Sequence, residues 1–72
     1  MANNRKENFK RLAEARTVEV LRRLKILGNC ANRSNYDYSE SEVNKIFGEI
    51  EKKVKDVKAK FTFPDREEKF KL

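Results

Sequence analysis

Val43, Phe47, Ile50, Val54, Val57 and Phe61 recur at intervals of four, three, four, three and four residues. That alternation keeps all six on one side of an α-helix, as the seam of a heptad repeat. The positions between them carry Lys45, Glu49, Glu51, Lys52, Lys53, Lys55, Asp56, Lys58 and Lys60, so the rest of the helix surface is charged. An apolar strip this narrow needs another helix to cover it. The identity of that cover is the main question the chain poses.

The seam has a clear start. Ser39 and Glu42 have the S-x-x-E spacing of a capping box, in which each side chain satisfies a backbone N–H at the helix N-terminus. Tyr38, just before the cap, is placed to meet Val43 as a hydrophobic staple. The spacing predicts a second helix over about 40–60. Gly48 weakens its middle by roughly 0.5–1 kcal/mol relative to Ala, or admits a neighbouring backbone closely. Pro64 restricts Phe63 to extended conformations and ends the helix before it.

A first helix is predicted over about 4–28. Asn4 with Glu7 makes a reasonable start. Phe9, Leu12, Ala13, Arg16, Val20, Leu24 and Leu27 fall broadly on one face. Ala13, Thr17, Val20, Leu24, Leu27 and Ala31 repeat the four-three alternation of the second helix. Gly28 is a natural stop, since glycine takes the left-handed conformation at a helix C-terminus without a Cβ clash. The phase of Ala31 also allows one turn more. At 100° per residue, Val18, Leu21 and Ile26 point well away from the Val20/Leu24/Leu27 face. A helix that is apolar on more than one side is usually buried on more than one side. The second helix cannot cover both, which points to a second copy of the chain or another protein. Scattered exposed aliphatics are the alternative.

Between the helices, residues 29–39 read NCANRSNYDYS, a run of turn-forming residues. Residues 62–72 form a charged C-terminal tail with Phe63, Phe70 and Leu72 as apolar points. At 72 residues the chain makes one small domain at most, too small for a large core. One cysteine makes no internal disulfide, and a chain without histidine has poor means of holding zinc. Regular helix packing with self-association is what remains. The polar N-terminus shows no apolar signal segment, no run is long enough to span a membrane, and a lone cysteine fits a reducing compartment. A cytoplasmic protein is expected, with no cofactor, no metal, no small-molecule substrate and no membrane partner.

Catalysis needs a tuned nucleophile, an acid or base, or a metal. There is no histidine and no phosphate-binding glycine loop, and acid pairs such as Glu49/Glu51 and Glu67/Glu68 do not face one another across a cleft. Cys30, near Lys25 and Arg33, reads as a small apolar residue rather than a reactive thiol. The expectation is a protein that is not an enzyme.

The net charge of +6 lies on the helical stretches, with eight Lys/Arg against three Glu over Asn4–Leu27. Arg5, Arg16 and Arg23 share one edge of the first helix's apolar stripe, and Arg11, Arg22 and Lys25 lie on the opposite, outward face. Either set suits contact with nucleic-acid phosphates, which gives affinity and salt dependence without sequence information. Alternatively, Arg16 and Arg23 lay their stems over the core and pair with Glu14, Glu19 or acids of a partner. Arg33 and Tyr36 interleave charge with an aromatic ring, as single-stranded nucleic acid uses, though Asp37 and Glu40 beside them oppose it. Phe63, Phe70 and Leu72 are candidates for docking a protein partner.

The stretch Phe9–Phe61, above all LGNCANRSNYDY followed by an acidic helix start, resembles small helical-hairpin proteins of Gram-positive bacteria and their mobile elements. That resemblance implies a bacterial accessory protein, and it carries no activity or functional residue with it. The expected fold is all-α: a two-helix antiparallel hairpin that dimerises into a four-helix bundle. The expected function is a non-enzymatic protein-interaction module that self-associates through Val18, Leu21 and Ile26. The alternative is a nucleic-acid-binding accessory protein.

Overall fold

A computed structural model describes residues 3–63. Phe70 and Leu72, the outer part of the expected docking tail, lie outside the described residues. The described chain is all-helical, with helix α1 at Asn3–Gly28, a single 3₁₀ turn at Asn29–Ala31, and helix α2 at Glu40–Lys58. There is no strand among the described residues. The chain divides between Asp37 and Tyr38 into two units, one built on each helix.

In the first unit, α1 begins at Asn3, so Asn4 stands within its first turn and not ahead of it as a cap. It ends at Gly28, where the sequence places the end, but not through the expected left-handed conformation. Gly28 has φ −61° and ψ −22°, an ordinary right-handed conformation, and no glycine among the described residues has positive φ. The chain does not turn away at Gly28. It tightens into the 3₁₀ turn through Ala31, the continuation that the phase of Ala31 allows, and becomes extended only at Asn32, with ψ 104°. Tightening from α to 3₁₀ is a common way to satisfy the last carbonyls of a helix, and it needs no left-handed residue.

Asn32 organises the connection between the helices. Its side-chain Oδ1 accepts the Ser34 N–H at 2.9 Å. Its carbonyl accepts the Asn35 and Tyr36 amides at 3.1 and 2.9 Å. A short side chain that bonds the backbone two residues ahead is the reason asparagine favours turns. The connection is therefore an ordered turn at 33–35 followed by irregular chain to Ser39.

In the second unit, Ser39 adopts an extended conformation, φ −105° and ψ 160°, as an N-cap requires. The Glu42 N–H donates to Ser39 Oγ at 3.1 Å, and the Ser39 N–H donates to Glu42 Oε1 at 2.9 Å. Both halves of the capping box are present. Tyr38 and Val43, the two ends of the expected staple, are both half-buried. Glu40 and Glu42 in the first turn and Lys55 and Lys58 in the last complement the helix dipole.

α2 ends at Lys58, about two residues short of the predicted end. The Lys60 and Phe61 amides reach back only three residues, to Val57 and Lys58, at 3.0 and 3.1 Å. Phe61 is thus held by a tight turn beyond the helix. Phe63, which the following proline restricts, is in irregular chain.

Candidate functional site

Among the described residues, none is buried. The faces of the two helices are therefore the candidate sites, and each follows from its helix's own periodicity. On α1 the Val20/Leu24/Leu27 face includes half-buried Ala13 and Leu27, with Leu24 at 38% exposure. The second apolar side is more open, with Val18 at 63%, Leu21 at 60% and Ile26 at 46%. On α2 the seam residues Val43 and Ile50 are half-buried, while Phe47, Val54, Val57 and Phe61 are exposed. Ile46 widens this strip on one flank and is also exposed.

The two arginine sets of α1 are not separate. Glu19 lies between them and takes one from each. Arg22 Nη2, from the outward set, donates to Glu19 Oε1 at 2.7 Å. Arg23 Nε, from the stripe edge, donates to Glu19 Oε2 at 3.2 Å. The spacings are three and four residues, the two at which helical side chains meet. All three groups are well exposed to water, so each pair contributes only about 0.2–0.5 kcal/mol. Their consequence is electrostatic: one carboxylate offsets part of the charge of Arg22 and Arg23. Arg11 Nη2 approaches Asn8 Oδ1 at 3.4 Å, a neutral partner that leaves its charge uncompensated. Among the described residues, Arg5, Arg16 and Lys25 form no ion pair.

Arg33 lies on the ordered turn and Tyr36 directly after it, and Arg33 Nη1 is 3.7 Å from Asp37 Oδ1. The neighbouring acid that opposed a nucleic-acid role in the sequence thus stands beside the arginine. Tyr36 is exposed. Cys30 is a free, exposed cysteine in the 3₁₀ turn. Phe63 is exposed beside Lys58, Phe61 and Thr62, which together line a shallow, open surface.

A second shallow surface runs along α1 past Glu7, Lys10, Arg11, Glu14, Ala15 and Val18. It joins the open apolar side to the basic outward set. Among the described residues, no cluster of three or more Cys, Asp or Glu could hold a metal ion. No described helix is long and apolar enough to cross a membrane. Sequence reasoning missed Asn32 as the organiser of the turn; its signal was one asparagine among several in NCANRSN.

Compared with known proteins, the chain matches no family model, no curated protein and no solved structure.

Proposed function

We propose that this protein is a non-enzymatic interaction module that associates with itself. In this reading α1 and α2 form an antiparallel hairpin, and two hairpins complete a four-helix bundle. The observation that carries the proposal is that no described residue is buried although two helices present long apolar faces. Burying apolar surface yields roughly 25 cal/mol per Å². A chain of this size holding its leucines, valines and phenylalanines in water retains a large driving force for association. Val18, Leu21 and Ile26 form the face between copies, because the hairpin itself uses the opposite side of α1.

The test is sedimentation over a range of concentrations, combined with thermal melts by circular dichroism. Self-association requires a mass above that of the monomer and a melting temperature that rises with protein concentration. A constant monomer mass with a concentration-independent melt would defeat the proposal.

A second reading has a specific observation behind it. Arg5, Arg16 and Lys25 have no acidic partner among the described residues, and Arg11 touches only an amide. Uncompensated cations along one helix suit phosphates. In this reading the protein is an accessory nucleic-acid binder. Titration with DNA and RNA at two salt concentrations decides it: binding that weakens steeply with salt supports it, and no binding at low salt removes it.

A further inference from the structure

We infer that within the bundle the seam of α2, shared with α1 of its own chain, packs against α2 of a second copy of this chain running antiparallel to it. The inference rests on the self-association reading above and adds the orientation, which that reading leaves open. Two independent features of α2 carry it.

The first is the spacing. Intervals of four, three, four, three and four read the same in either direction. Two antiparallel copies centred near Lys52 therefore set Val43 beside the partner's Phe61, Phe47 beside the partner's Val57, and Ile50 beside the partner's Val54. Every seam residue meets a seam residue, and each layer pairs an a position with a d position. The side-chain sizes agree. Both phenylalanines face a valine, and the middle layers pair isoleucine with valine, so the layers have similar volume. A parallel pair would set each residue against itself. Its six layers would run valine, phenylalanine, isoleucine, valine, valine, phenylalanine, so two bulky phenylalanine layers would sit among smaller ones. Close-packed interiors tolerate neither voids nor crowding, so even layers are favoured.

The second feature is charge. The N-terminal part of α2, Glu40–Glu51, has four acids and one lysine. The remainder, Lys52–Lys58, has four lysines and one aspartate. Antiparallel copies lay the acidic end of each helix along the basic end of the other. Parallel copies would lay like on like. Glu51 and Lys53 oppose this at the centre, where each lies near its own counterpart. A parallel pair fares worse, since it brings Lys53 beside the partner's Lys58 on both sides of the seam. Charge patterns of this kind set orientation and exclude wrong pairings more than they add affinity. The helix dipoles also favour the antiparallel arrangement.

The experiment places one nitroxide label per full-length chain, on a Cys30→Ser background. Either Lys45→Cys or Lys52→Cys carries the label; both positions are exposed and lie on the side of α2 away from the seam. Distances between labels are read by pulsed dipolar spectroscopy at concentrations where sedimentation shows the dimer. Lys52 lies near the two-fold axis. Its labels should be separated by the width of two adjacent helices, about 20–24 Å, plus the label linkers. Lys45 is seven residues from the axis, so its two labels are offset from one another along the helices by ~21 Å, at 1.5 Å per residue, and with the perpendicular width this gives a separation of about 30 Å before the linkers. The expected result is a clearly longer distance at position 45 than at position 52. Equal distances in a dimer would overturn the antiparallel orientation and leave self-association standing. A monomer mass with no dipolar coupling would overturn both, and would leave the seam to α1 of the same chain alone or to a different protein.

Discussion

The Ser39 hydroxyl and the Glu42 carboxylate satisfy two backbone N–H groups at the start of α2, at 3.1 and 2.9 Å. Replacing Ser39 with alanine leaves the Glu42 amide without its acceptor. Ser39→Ala should destabilise α2 by about 1 kcal/mol, read as a lower melting midpoint in far-ultraviolet circular dichroism. Ser39→Asp, which keeps an acceptor, should stay close to the parent. Gly48 makes a converse case. A Cβ built there meets nothing within 4 Å. Gly48→Ala should therefore raise helix stability by about 0.5–1 kcal/mol. A loss of stability would mean that a neighbouring copy approaches the backbone at that point. The cap was legible in the sequence because all its parts lie within four residues. The conformation of Gly28 was not, because a helix-terminal glycine turns left-handed or continues according to the chain beyond it. Here that chain is a 3₁₀ turn leading to Asn32, whose own hydrogen bonds fix the exit.

α2 is the more readable of the two helices. Its apolar residues keep to one strip, and a charged remainder admits one orientation toward a partner. α1 carries Val18, Leu21 and Ile26 on a second side, and all three are exposed. Periodicity could say that these residues point away from the first face, and it could say nothing of what covers them. The joining of the two arginine sets through Glu19 was half legible. Spacings of three and four residues allowed each pair, but the sharing of one carboxylate depends on side-chain rotamers that spacing does not specify. Leu21→Glu puts a charge in the middle of the second apolar side. It should leave the helix content of α1 nearly unchanged, since glutamate is a good helix former, while lowering the association constant at least tenfold in sedimentation. Unchanged association would place the contact between copies elsewhere.

For the molecule as a whole, the all-helical character was legible from two amphipathic periods, low glycine and proline, and a high charged fraction. The connection was legible as irregular, and its order came from one asparagine. The proposed bundle is a matter of association, carried by the apolar faces that the two helices leave open. Those faces make the central claim a claim about mass. The most direct measurement is sedimentation equilibrium on the full chain over a hundredfold range of concentration, at moderate salt. Self-association requires the mass to rise toward about 17 kDa, twice the 8.6 kDa of the chain. A single species at the chain mass across the whole range, still helical and melting cooperatively, would contradict it.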